Sequence, residues 1–269
     1  MGGRQIGTVQ ALWRYPVKSL RGESLTEAHF TERGIEGDRS WALRELERGG
    51  IMSARVWAPL LQLRASRDER GGDDGAMVRI ELPDGRVISV TDPETPAILS
   101  EFLGRKVELA QVRRERLSAA ELDAVIRGTA YPPARDFFDE DVIHIIASGT
   151  IAHLRTLKPD SDFDPRRFRA NLLVDTGAEA DGFIEDRWLD GVLEIGESVK
   201  INWMRPAIRC VMTTHPQPDL PRDMAILRTA AQHHEAYVGV FASVAETGRI
   251  RVGDPVVLAP SPEPGRVEP

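Results

Sequence analysis

The chain of 269 residues contains a single cysteine, Cys210. One thiol cannot close an intramolecular disulfide, nor can it alone furnish a cysteine-only zinc or iron–sulfur site. No GxGxxG or Walker A pattern is present, which argues against dinucleotide or ATP binding through those loops. The six histidines, His29, His144, His153, His215, His233 and His234, form neither HExxH nor a cysteine-linked ligand set, and most read as structural or surface residues. No uninterrupted apolar run approaches the roughly 20 residues of a membrane span, so no membrane partner is expected. The opening MGGRQIGTVQ lacks the apolar stretch of a signal peptide, and Ile6 breaks the myristoylation pattern. Positive charge is in deficit, because 35 Lys and Arg against 42 Asp and Glu leave a net −7. A general nucleic-acid surface is therefore disfavoured, while a local basic pocket is not. With one cysteine and no targeting segment, a cytoplasmic protein is expected.

The length allows one large domain or two modest ones, and 29% charged with 41% hydrophobic residues is ordinary for a globular chain. Short strands dominate. Ile6, Val9, Leu12 and Trp13 mark the first, which loosens at Pro16 because proline has no amide to donate. That leaves Lys18 and Ser19 near a strand end. The Gly-punctuated RGIEGDR turn at 33–39 leads into a strand through Trp41, Leu43 and Leu46. The clearest hairpin spans 77–90, with Val78, Ile80 and Leu82 alternating before Pro83-Asp84-Gly85. A helix is predicted over 96–103, capped by Thr95 and ended by Gly104, and a strand over 107–112. The polar run 113–141 is the best boundary.

Beyond it, strand 142–147 passes through Ser148-Gly149-Thr150 into a helix that Pro159 stops. That turn is either an ordinary helix cap or, through its hydroxyls and amides, a seat for an anion. Arg166, Arg167 and Arg169 surround Phe168 before strand 172–175, as a solvated strand entry or as a clamp for a phosphate-bearing ligand. Strands 192–195 and 198–204 deliver the chain to RPAIRCVMTTHPQP at 205–218. A helix over 221–233 and strands over 237–244 and 250–258, punctuated at Gly253-Asp254, close the fold, and 261–269 has disordered-linker composition. No regular strand–helix alternation supports a doubly wound sheet, so the chain is expected to be a β-rich α+β protein.

Around Cys210 stand Arg205, Arg209, Thr213 and Thr214. The arginines would favour a thiolate, and the hydroxyls could hold an anion. The residues alone leave an inert core thiol and a reactive or metal-binding one equally open.

YPVKSLRGESL with GIEGDRSWAL resembles the N-terminal β-barrel module of MOSC proteins. RFRANLLVDTG, GFIEDRW, LEIG, RCVMTT and IRVGDPVVL resemble the MOSC domain itself, in the family's order. The resemblance spans almost the whole chain and is weakest over 64–141. It implies an N-terminal module at 1–112, a connecting segment at 113–141, and a MOSC domain at 142–260 that binds molybdenum on molybdopterin. Cys210 is then the metal's thiolate ligand, Lys18, Ser19 and Arg39 hold the pterin's phosphate, and Arg169, Asn171 and Arg209 surround the pterin and its dithiolene. Ser148 and Thr150 fall at the corresponding strand-to-helix turn.

By resemblance to the amidoxime-reducing molybdenum enzymes, the chain is an oxidoreductase acting on small N-oxygenated compounds. With no cysteine left for a cluster, its electrons come from a separate heme, flavin or iron–sulfur protein. Pyridoxal phosphate is not expected, nor is a nucleic-acid partner. The alternative is a cofactor carrier, or a sulfur-transfer protein with a persulfide on Cys210. One departure stands out: reducing relatives commonly follow the TT pair with aspartate and proline, whereas here His215-Pro216-Gln217-Pro218 follows Thr214.

Overall fold

A computed structural model of the chain describes residues 3–47, 49–68, 78–111, 143–177 and 182–260. They form two compact units that interleave in sequence. The first takes the described residues of 1–14, 22–38 and 140–269, and the second those of 15–21 and 39–139. Three α-helices are described: α1 (Thr95–Leu103), α2 (Ser148–Leu157) and α3 (Ala225–His234). None is long and apolar enough to cross a membrane.

The first unit is framed by seven strands that close on themselves. These are β1 (Arg4–Arg14), β2 (Ile143–Ala147), β3 (Leu172–Asp175), β4 (Gly191–Ile195), β5 (Val199–Ile208), β6 (Tyr237–Glu246) and β7 (Pro255–Pro260). They follow one another as β3-β2-β6-β5-β4-β7-β1, and β1 pairs back onto β3. Closure gives each of the seven a partner on both sides, and an eighth, short strand, Glu23–Leu25, pairs along the end of β1. Every pairing is antiparallel except β2 with β3, whose parallel register needs a crossover that α2 supplies.

Alternate residues such as Val9, Ile145, Leu193, Ile201 and Val240 fill the barrel. Strand β2 is buried on both faces, which its unbroken IHIIA run foreshadows. Its outer side, with Ile146, meets a second apolar layer from Ile151 and Leu154 of α2 and Ile226 and Ala230 of α3. Where β1 meets β3 the backbones come so close that a Cβ on Gly7 would lie 2.1 Å from the Asp175 carbonyl oxygen. A smaller sheet, Gly248–Arg251 with Glu27–Thr31 and Gly34–Ile35, belongs to the same unit.

The second unit holds two three-stranded sheets, Trp41–Glu45 between Val107–Gln111 and Gly50–Ile51, and Arg64–Arg67, Val78–Glu81 and Val87–Ser89, together with α1. The hairpin predicted over 77–90 is present with Gly85 left-handed at its turn, although Met77 lies outside the described residues. The predicted connecting segment 113–141 and tail 261–269 also lie outside them.

Two boundaries differ from expectation, each because a side chain is otherwise employed. Thr95 does not cap α1 but lies within it, its hydroxyl donating to the Ser89 carbonyl at 2.6 Å. Helix α3 starts at Ala225 rather than Pro221, since Asp223 accepts from the Ala225 amide at 2.8 Å. The segment 250–258 divides at left-handed Gly253 between two different sheets.

Candidate functional site

In the second unit, Lys18 and Ser19 sit on the turn after β1, and Arg39 on the turn before Trp41. A parallel bridge between Val17 and Trp41 joins these turns. The Lys18 amide donates to the Trp41 carbonyl at 2.8 Å, the Trp41 amide to the Pro16 carbonyl at 3.0 Å, and the Arg39 amide to the Tyr15 carbonyl at 2.8 Å. The Arg39 guanidinium carbon lies 5.2 Å from the centroid of the Tyr15 ring, in cation–π range. Ser19 (φ 66°) and Arg39 (φ 47°) are both left-handed, a conformation that costs a residue with a Cβ about 1–2 kcal/mol. Such strain persists where the surroundings impose it and tends to gather at ligand sites. The structure thus brings together the three residues expected to hold a phosphate.

In the first unit, Cys210 opens a 3-10 turn, Val211–Thr214, that follows β5, and it is only partly buried. The Thr213 hydroxyl donates to the Cys210 carbonyl at 3.0 Å, and the Thr214 hydroxyl to the Val211 carbonyl at 2.7 Å. Both threonines therefore serve to stiffen the turn rather than to offer donors outward. The Arg209 amide donates to the Ala236 carbonyl at 2.7 Å, and its guanidinium to the Phe168 carbonyl at 2.7 Å. Phe241 is flanked by the Arg205 and Arg209 guanidinium carbons, 5.2 and 5.7 Å from its centroid.

The Phe168 carbonyl belongs to the turn Pro165–Phe168, which Arg169 closes in a left-handed conformation (φ 57°), largely buried. Of six non-glycine residues with positive φ among those described, three are Ser19, Arg39 and Arg169. Arg167, almost fully buried, ties this turn to the loop beyond Cys210 by donating to the carbonyls of Asp162 and Pro221, each at 2.9 Å. Burial holds its guanidinium below the usual arginine range, though Asp162 and Asp223 work the other way.

Two of the expected site residues hydrogen-bond inside the fold. Asn171 is fully buried, and its amide accepts from the His144 amide at 3.2 Å while donating to Asp38 at 3.0 Å and to the Trp13 carbonyl at 3.3 Å. Thr150, likewise fully buried, shares a short hydrogen bond with Glu185 and accepts from the Ile184 amide at 3.0 Å. Ser148 stays partly exposed, bonded to Asp175 at 3.3 Å and accepting from the Thr176 amide at 3.0 Å.

Two backbone amides at the turn from β2 into α2 are taken as well. Glu185 accepts from Ala147 at 2.6 Å, and Thr176 from Gly149 at 3.2 Å. An internal carboxyl thus takes the Ala147 amide and the Thr150 hydroxyl at the turn that sequence reasoning read as a helix cap or a seat for an anion. Burial pushes the Glu185 carboxyl up to about 7, although the bonds from Thr150 and Ala147 favour its charged form. Sequence reasoning missed Glu185, the Phe241 ring and the Tyr15 ring beneath Arg39. Only Glu185 carried a signal, as the first of the two acidic residues of GFIEDRW.

A closed aliphatic barrel that carries one thiol on a stiffened turn beside arginines defines the chain as a β-barrel protein. The chain belongs to the MOSC family: residues 6–124 match the MOSC N-terminal beta barrel domain, and 132–257 match the MOSC domain. The closed barrel is formed mostly by the MOSC-domain part, with β1 completing it. Similar proteins include mitochondrial amidoxime reducing component 2 from rat, 26% identical over 94% of this chain and 83% of that protein. The human component 2 is 25% identical over 94% and 84%, and Xenopus laevis component 1 is 28% identical over 94% and 82%. The crystal structure of YuaD from Bacillus subtilis shares the fold, with a TM-score of 0.51 at 11% identity, covering 97% of this chain and all of that one.

Proposed function

We propose that this protein is a molybdenum-cofactor oxidoreductase that reduces small N-oxygenated compounds. The observation that carries the reading is Cys210, a partly exposed thiol on a turn pinned by its own threonine hydroxyls and flanked by Arg209. Among the described residues no three His, Cys, Asp or Glu side chains gather as a metal cage. A metal ligated by Cys210 would therefore bring most of its donors with it, as one held on a dithiolene does. When bound, that cofactor supplies the two-electron redox chemistry. The names of the similar mitochondrial proteins, amidoxime reducing components, support the substrate class.

The residues divide the work. Lys18, Ser19 and Arg39 bind the terminal phosphate through charge-assisted hydrogen bonds from two pre-shaped turns. Arg169 and Arg209 neutralise the anionic pterin–dithiolene, and Ser148 offers the one hydroxyl of its turn still open to solvent. Asn171 and Thr150 support this set from inside the barrel wall instead of touching the ligand. Overall, one N–O bond breaks, two electrons and two protons are consumed, and water leaves. The electrons come from a separate heme, flavin or iron–sulfur protein, and the protein works in the cytoplasm.

Metal and pterin analysis of protein made in a molybdopterin-competent host tests the reading. One molybdenum and one pterin per chain, with viologen-driven reduction of an amidoxime, is expected. Cyanide-labile sulfur on Cys210 without metal would mean sulfur transfer instead.

A further inference from the structure

The turn that starts at Cys210 ends at His215, and there the fold leaves a polar atom over. Nε2 of His215 is buried and has no hydrogen-bond partner among the described residues. A ring nitrogen removed from water without a partner is a cost that native structures seldom keep unless something takes the bond up. The backbone that carries the ring is held in place. The His215 amide donates to the Met212 carbonyl at 3.2 Å, and the preceding Thr214 carbonyl accepts from the Asp223 amide at 3.0 Å. Pro216 confines His215 to the extended conformation it adopts, φ −73° and ψ 149°.

A second buried donor is left over in the same loops. Nη1 of Arg167 has no partner among the described residues, while Nη2 holds the Pro221 carbonyl two residues before Asp223. Arg167 thereby positions the loop that carries His215, and both withheld donors belong to the segments bracketing the thiol.

We propose that His215 Nε2 hydrogen-bonds the nitrogen-bound oxygen of the substrate, making His215 a substrate-binding and specificity-determining residue. The inference rests on the reading of Cys210 given above. Neutral imidazole suits this ligand class, because Nε2 either donates to an N-oxide oxygen or accepts from an N-hydroxyl. The product lacks that oxygen, so binding it would leave Nε2 partnerless again. Sites built around one hydrogen bond discriminate strongly against an analogue that cannot make it. His215 thus favours the N-oxygenated substrate over its reduced product.

The test measures binding without turnover. Cofactor-loaded wild type, His215→Phe and His215→Gln are titrated with an aryl amidoxime and with the matching amidine, no electron donor being present. His215→Phe should bind the amidoxime about tenfold to a hundredfold more weakly and the amidine unchanged. His215→Gln, whose amide nitrogen reaches a similar place, should recover part of the loss. Cofactor-free His215→Phe should be at least as stable toward urea as cofactor-free wild type, since it no longer buries a partnerless nitrogen. Unchanged amidoxime affinity, equal losses for both ligands, or a destabilised cofactor-free variant would overturn the proposal. Cys210→Ser separates the two readings. If its metal site matches wild type, the function reading fails; if only His215→Phe disappoints, this inference alone does.

Discussion

Replacing Glu185 with glutamine should change how stability depends on pH. The carboxyl is fully enclosed, so burial raises it from the ordinary 4.5 to about 7. Below pH 4.5 it is protonated in both folded and unfolded chains and contributes nothing. Between 4.5 and about 7 the unfolded chain releases the proton while the folded chain keeps it, so stability falls as pH rises. The loss levels off above 7. At 1.36 kcal/mol per unit it amounts to about 3 kcal/mol.

Glutamine mimics the protonated acid, with its oxygen accepting from Ala147 and its amide donating to Thr150, whose hydroxyl then faces the Gly182 carbonyl 3.4 Å away. Urea unfolding from pH 5 to 8 should show the two proteins nearly equal at pH 5 and wild type weaker by about 3 kcal/mol at pH 8. Glu185→Ala should lose about 3–5 kcal/mol throughout, from the cavity and the stranded Ala147 amide. Stability curves for wild type and Glu185→Gln that run parallel across the range would refute the reasoning.

Gly7→Ala should cost about 3 kcal/mol in urea unfolding, because its Cβ would press on the backbone of β3 at the barrel seam. The double variant Lys18→Ala/Arg39→Ala should fold normally yet copurify with much less pterin; a full complement would remove the phosphate assignment. The purified protein should be inert with NADH and an amidoxime but active with reduced viologen, and turnover with NADH alone would contradict the need for a partner.

Much of the local structure was legible because it depends on neighbours in sequence. The alternation of Val78, Ile80 and Leu82 before Pro83-Asp84-Gly85 marked a hairpin, and the apolar run before Ser148-Gly149-Thr150 marked β2 and α2. What escaped is long-range. Closure of β1 onto β3 depends on partners far apart in the chain, and periodicity does not encode pairing. Likewise the juxtaposition of Lys18 with Arg39 comes from the Val17–Trp41 bridge and the backbone bond from Arg39 to Tyr15, so only the family resemblance pointed to it. The internal bonds of Thr150 and Asn171, both expected at a cofactor site, escaped for a related reason. Their polar side chains suit a ligand, but Glu185 and Asp38, brought in by the fold, use them first.

The account turns on Cys210 as the metal's only protein ligand. X-ray absorption at the molybdenum edge, on wild type and on Cys210→Ser normalised to equal pterin content, tests this most directly. The account predicts one sulfur scatterer fewer per metal in the variant, with amidoxime reduction lost and pterin at least partly retained. An identical sulfur count in the two proteins, with equal activity per pterin, would contradict it.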